Sequence, residues 1–331
     1  MAERPVVAAV DCGTNTIKLL IGAFPDVAVR ESRMVRLGED LDRTGRLADA
    51  ALARAFAAVE EYADLVRAHG AARVRFVATS ATRDAANADV FTAGVRERLG
   101  VAPEVVSGEE EAALALAGAL GGLRTPVDGP VLVVDVGGGS TELVLGRLGA
   151  EGPDVLRPVV LGAVSVDVGS VRMHERHLRS DPPTADELAA CSADVDAALE
   201  AGLAASGLGA LLEAQPPAAV VGVAGTVTSV AAGVLDLAAY DREAIDQQVL
   251  PVEAVREEVR RLTTTTVAER RALPWMHPGR ADVIDGGAVV LERVLRRVGA
   301  RELVVSEADI LDGIAWSIAG SVAGSMPGAV G

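Results

Sequence analysis

VLVVDVGGGSTELVLG, residues 131–146, and VAAVDCGTNTIKLLIG, residues 7–22, are one pattern written twice. The offset is constant: Asp135 minus Asp11 is 124, and Gly146 minus Gly22 is 124. Gly137 thereby matches Gly13, Ser140 matches Thr16, and Leu143 matches Leu19. Each copy reads as a buried strand closing on an aspartate, a turn of Gly, Ser, Thr and Asn, and a second apolar strand. Such a tip offers backbone N–H groups and hydroxyls beside a carboxylate, a set suited to a phosphate and its divalent cation. Two copies predict two related units whose tips face each other across a cleft.

Composition bounds what such a cleft can serve. At 331 residues, half of them hydrophobic, the chain is long enough for two domains with separate cores. A formal charge of −16 and few aromatics (two Trp, two Tyr, four Phe) argue against nonspecific binding to nucleic acid or to an anionic membrane. Two cysteines, Cys12 and Cys191, point to a reducing cytoplasm. Cys12 sits in the first turn, but Val136 holds the matching place in the second, which argues against a nucleophilic thiol. No signal-peptide pattern precedes the first strand. The uncharged stretch 214–235 contains Pro216, Pro217 and glycines, and reads as strand, turn and helix instead of a membrane span. Lys18, the sole lysine, matches Glu142 in the repeat, a place that could face the cleft, but reads more readily as a solvated strand-end side chain. Ala-rich helices leave room for a homodimer without locating its surface.

Outward from the first hairpin, residues 30–46 read as an irregular polar stretch and 47–70 as a helix ending at Gly70. Arg73–Ala78 reads as a strand, Thr79–Arg83 as a turn and Asp84–Leu99 as a helix. A short strand, Glu104–Val106, leads to Ser107, which opens a capping box with Glu110 for a helix over Glu109–Leu120. Residues 121–129, with Pro126, read as a linker. The second unit continues with a strand near 154–161, helices near 166–178 and 184–205, and a strand at 220–223. Ala224–Ser229 then reads as a turn leading to a helix over 230–237. Helices near 251–263, 267–272 and 281–298, a strand at 302–306 and a helix near 310–318 complete the alternation of an α/β layer protein.

The turn Gly137-Gly138-Gly139-Ser140-Thr141-Glu142 carries most of the chemistry. Its glycines let a phosphate approach the backbone, and its hydroxyls add donors. It lacks the Gly-Lys-Ser/Thr ending of a Walker A loop and is not G-x-G-x-x-G. A plain hairpin turn would also need glycine, but it would not explain Asp11, Thr14 and Asn15 in one copy and Asp135 and Glu142 in the other. Ala224–Ser229 (AGTVTS) is a third small-residue segment, able to take a phosphate at a helix start. Arg83 stands after a strand end, where it can grip a phosphate or simply be solvated. Glu109, Glu110 and Glu111 are accounted for by the cap and the helix dipole alone. The four histidines show no metal spacing.

In order and spacing, VDCGTNTIKLLI, VATSATRDAAN, VVSGEEEAALAL, VVDVGGGSTELVLG, VAGTVTSVAA and VVSEADILDGIA resemble the exopolyphosphatase / guanosine pentaphosphate phosphohydrolase family. That family belongs to the actin/Hsp70/sugar-kinase superfamily. The resemblance implies two actin-like (ribonuclease H-like) α/β domains around a central cleft, 1–125 and 126–309, with a C-terminal helix near 310–325 packing back on the first. It implies release of terminal orthophosphate from inorganic polyphosphate, short chains preferred, or of the 5′ γ-phosphate from guanosine pentaphosphate, with Mg2+ or another divalent cation as cofactor. An actin-like ATP-binding protein or sugar kinase is the alternative of another class. By motif position, Glu111 is the catalytic residue, overriding its bland reading. Glu142 would hold metal or the attacking water, with Asp11 and Asp135 near the cation. Thr14, Asn15, Arg83, Gly137, Gly138, Gly139, Ser140 and Thr226 would grip phosphates. The terminal motif has Leu311 before Asp312-Gly313, where the family often has Arg, so no basic ligand is assigned there.

Overall fold

The computed structural model describes residues 4–125, 127–149 and 158–323. Its first half runs β1 (Val7–Cys12), β2 (Thr16–Ala23), β3 (Asp26–Met34), α1 (Leu41–Thr44) and α2 (Asp49–Ala68). It continues with β4 (Arg73–Ala78), α3 (Ser80–Asp84), α4 (Ala88–Leu99), β5 (Glu104–Val105) and α5 (Gly108–Gly122). The second half opens with β6 (Val131–Val136), β7 (Thr141–Leu148), β8 (Pro158–Val166), α6 (Ser170–His177), α7 (Ala185–Ala205) and α8 (Leu208–Ala214). Next come β9 (Ala219–Val223), α9 (Ala224–Val234), α10 (Arg242–Ile245), β10 (Val249–Pro251) and α11 (Val252–Thr264). The chain closes with α12 (Val267–Arg271), α13 (Ile284–Arg297), β11 (Glu302–Val305) and α14 (Ile310–Ala323).

The repeat in the sequence is a repeat in the sheets. One sheet has the order β3-β2-β1-β4-β5 and the other β10-β11-β9-β6-β7-β8. In each, an antiparallel hairpin sits beside a parallel strand. Asp11 pairs with Lys18 and Val7 with Gly22; 124 residues on, Asp135 pairs with Glu142 and Val131 with Gly146. Even the irregularity is repeated, between Ile21 and Gly22 and again between Leu145 and Gly146. β1 and β6 are buried along their whole length because both faces of each sheet are covered. That explains their unbroken apolar runs.

Several expectations are corrected. The polar stretch 30–46 hides most of β3, whose Arg30, Glu31, Ser32 and Arg33 mask the strand period; an edge strand tolerates such charges. The turn read over 79–83 is helix α3, and the helix read over 84–99 begins only at Ala88, because buried Asn87 bonds both backbone groups of Leu47 and breaks the chain between the two. The segment 224–229 is not a turn but the opening of α9, which begins on Ala224 with φ at 68°. The strand placed near 154–161 runs instead over β8, in register with β7. Residues 154–157, Pro126 of the expected linker and 324–331 lie outside the described residues. Among the described residues no single helix is long and apolar enough to cross a membrane; α7 and α8, bent by 79°, pass only as a pair.

Helix α5 joins the two sheets. Its Ala112, Leu116 and Ala119 pack on Val133 and Val144, and its Leu114 and Ala115 share a core with Val7, Leu20 and Ile314. Gly118 and Gly313 let α5 and α14 meet backbone to backbone: a Cβ on Gly118 would overlap the Asp309 carbonyl. Ser107 caps α5 through the Glu110 amide, but the return half of the expected capping box is replaced, since the Glu110 carboxylate takes Arg75 at 2.9 Å.

Candidate active site

The two hairpin tips meet in a cleft of about 750 Å³. In the second tip, three consecutive carbonyls are held from behind by the start of α6. Gly137 O accepts from Ser170 N, Gly138 O from Val171 N and Arg172 N, and Gly139 O from Arg172 Nε at 2.7 Å. A trans peptide points its N–H opposite to its C=O. The amides of Gly138, Gly139 and Ser140 are thus turned away from α6, as an anion-binding nest requires. The first tip is built the same way, with Thr14 O accepting from Gly38 N and Asn15 O from Val35 N and Arg36 N. The tips touch: a Cβ on Gly138 would stand 2.9 Å from Thr14 Cβ, and one on Gly139 2.7 Å from Thr14 Oγ1 and 2.6 Å from the Oγ of Ser80, the α3 residue that bonds Thr14. Glycine is required there by the neighbouring hydroxyls.

Asp11, Thr14, Asn15, Glu111, Asp135, Gly137, Gly138, Ser140 and Thr226 line this cleft together. Gly139, Arg83 and Glu142 stand behind its wall. Gly139 is pressed against Thr14 and Ser80. Glu142 is buried and accepts from Ser165 Oγ at 2.7 Å. Arg83 is turned away from a phosphate role, because its Nη1 lies 3.1 Å from Glu111 Oε2 and 3.0 Å from the Val106 carbonyl.

Negative charge exceeds positive in this space. Burial pushes Asp11 up to about 6, against the pull of Lys18. Burial also raises Asp135 to about 8, and Glu142 to about 8 with repulsion from Asp135 added. Glu111 is raised well above the ordinary carboxylate range by burial and by Glu142, while Arg83 opposes the rise. Burial holds Cys12 as an unreactive neutral thiol.

The expectation of a solvated Lys18 is wrong. Its Nζ sits 2.6 Å from Asp309 and 3.5 Å from Asp11, lining the cleft. Asp309 is buried, yet Lys18 and Arg30 hold its carboxyl below the ordinary range. Three further cleft residues, Ser80, Ser170 and Arg280, carried no functional reading in the sequence. Ser80 opens α3 within the motif VATSATRDAAN, which gave the residue no role of its own. Arg280, whose Nη1 bonds Gly225 O and Ser229 Oγ, had no local signal at all.

Residues 18–321 match the Ppx/GppA phosphatase family. The chain belongs to that family. Exopolyphosphatase 2 of Mycobacterium tuberculosis is 45% identical over 332 residues, 95% of this chain and 98% of that protein. The solved structure of an exopolyphosphatase-like protein superposes with a TM-score of 0.88 at 40% identity, covering 97% of this chain and 99% of the other. A guanosine-5'-triphosphate,3'-diphosphate pyrophosphatase of Vibrio cholerae is 35% identical over 190 residues, 55% of this chain and 35% of that protein.

For this Ppx/GppA chain, a cation site can be tested on the donors present. Among the described residues no group of three or more acidic, histidine or cysteine side chains is placed to hold an ion by itself. The expected trio Asp11, Asp135 and Glu142 is therefore not a ready cage, because Lys18 occupies the side of Asp11 and Ser165 holds Glu142. The donor chemistry still fits magnesium, which keeps several waters and takes one or two carboxylates plus substrate phosphate oxygens. Asp135 and Asp11, buried at the cleft with more negative than positive charge around them, are the residues that fit.

A second hollow of about 1100 Å³ opens past Lys18, Gly225 and Arg280. Tyr240, Trp275 and Glu307 line it, and Tyr240 Oη donates to Glu307 at 2.5 Å.

Proposed function

We propose that this chain is an exopolyphosphatase that hydrolyses the terminal phosphoanhydride bond of inorganic polyphosphate, in the cytoplasm and with magnesium, and prefers short chains. The carrying observation is the pair of amide nests meeting over one buried glutamate, Glu111. Members of its family named exopolyphosphatase support the reading. The preference for short chains is supported by the net charge of −16, which repels a long polyanion. We take 1–125 with α14 as one lobe and 126–309 as the other, and a homodimer as the working assembly.

The terminal phosphoryl group sits between the tips. The amides of Gly138 and Ser140, with the hydroxyls of Thr14 and Thr226, take its equatorial oxygens as charge spreads over them. Asp135 and Asp11 would hold a divalent cation, which would supply further neutralisation of the phosphate chain. Glu111, its proton affinity raised by burial, removes a proton from a water aligned with the scissile bond. The new P–O bond forms from that water as the bridging P–O bond breaks. Orthophosphate and the shortened chain leave, and the proton departs from Glu111. Arg83 holds the base in place.

The second hollow favours a second reading, the 5′-phosphohydrolysis of guanosine pentaphosphate. Tyr240, which is exposed, offers ring surface there, and Glu307 an acceptor for base N–H groups. The deciding assay measures orthophosphate release across polyphosphate lengths and from guanosine pentaphosphate, with magnesium present or chelated. Release from short polyphosphate that is lost on chelation is expected. Faster turnover of guanosine pentaphosphate than of every polyphosphate would favour the second reading, and release from neither would contradict both.

A further inference from the structure

We propose that Arg172 is a positioning residue for this hydrolysis, fixing the second amide nest against the elements that hold the base; this rests on the proposed phosphatase reading. One guanidinium spans three partners. Its Nε donates to the Gly139 carbonyl at 2.7 Å, its Nη1 to Asp42 at 2.6 Å, and its Nη2 to Asp84 at 2.6 Å. Gly139 belongs to the tip of the second sheet, whereas Asp42 on α1 and Asp84 on α3 follow the first. Asp84 is the neighbour of Arg83, which grips Glu111. A continuous path of bonds therefore runs from the nest through Arg172 and α3 to the base.

The geometry is particular to arginine. A planar fork can hold a carbonyl on one edge and two carboxylates on the other, which an ammonium on a flexible stem cannot do. With two carboxylates against it, the Arg172 charge is already balanced, so its part is placement and not the attraction of phosphate. Its backbone amide also holds Gly138 O, so the same residue sets two of the three carbonyls whose turning aims the nest. Neighbouring Arg176 binds Asp42 and Asp194 but makes no bond to the nest, which supplies a control on the same helix.

The test compares R172A, R172K and R176A with wild type in steady-state phosphate release, together with hydrogen exchange of segments 137–141 and 80–84. R172A is expected to lower kcat by about 10²-fold with little change in KM, since small misplacements at a reacting centre cost about that much. R172K restores charge between Asp42 and Asp84 but not the fork, and is expected to stay within about threefold of R172A. R176A should remain within about threefold of wild type. Both Arg172 variants should speed exchange in 137–141 about tenfold. Full activity in R172K would assign the residue to charge balance alone and overturn the proposal, as would an R176A loss equal to that of R172A. If R172A fails to fold, R172K carries the same comparison. If the wild type releases no phosphate, the phosphatase reading fails separately, and unchanged exchange in 137–141 would then refute the positioning role by itself.

Discussion

At the residue scale, the site is defined by which acids are left without a cation. Asp309 is claimed by Lys18 and Arg30, whereas Glu111 has only Arg83. Burial and Glu142 raise the proton affinity of Glu111 and Arg83 opposes them, so Arg83 helps to set when the base is free. Removing that cation raises the Glu111 pKa further, and the base then stays protonated to higher pH. Arg83→Gln should therefore move the acidic limb of the pH–rate profile upward, with KM changed little. A limb that stays in place, or moves down, would show that Arg83 does not act through Glu111.

At the scale of elements, α5 connects catalysis to packing. It carries Glu111 in its first turn and Gly118 at its contact with α14. A methyl on Gly118 has no room against the Asp309 carbonyl, so Gly118→Ala must push the two helices apart. Overpacking of this kind destabilises by about 1–3 kcal/mol, read as a Tm lower by several degrees. The same shift displaces Asp309 from Lys18, so kcat should fall as well. An unchanged melting curve would show that the α5–α14 contact is loose. The elements also show what sequence could reveal. The paired hairpins were legible because burial on both faces and a fixed 124-residue offset left no other period. β3 was not, because a charged edge strand has the composition of a loop. The break after α3 was not either, because it depends on Asn87 finding Leu47 40 residues away.

At the scale of the molecule, two copies of one hairpin have become unequal partners. The first tip brings hydroxyls, Asn15 and the Lys18–Asp309 pair; the second brings three glycines and an acid behind the wall. Residues in the tips and Glu111 could be named from the chain because motif order carried them. Lys18 could be misread, since strand-end lysines are usually solvated and only the return of α14 places Asp309 against it. Arg280 reaches the cleft from a distant segment and no local pattern marks it.

The central claim is that two amide nests present a terminal phosphate to water activated by Glu111. Its most direct test is single-turnover phosphate release from a short polyphosphate by wild type and Glu111→Gln, with substrate binding measured on the same samples. The account predicts release slower by about 10²–10⁴-fold in the variant while binding stays within a few-fold. Release at the wild-type rate with binding intact would contradict it.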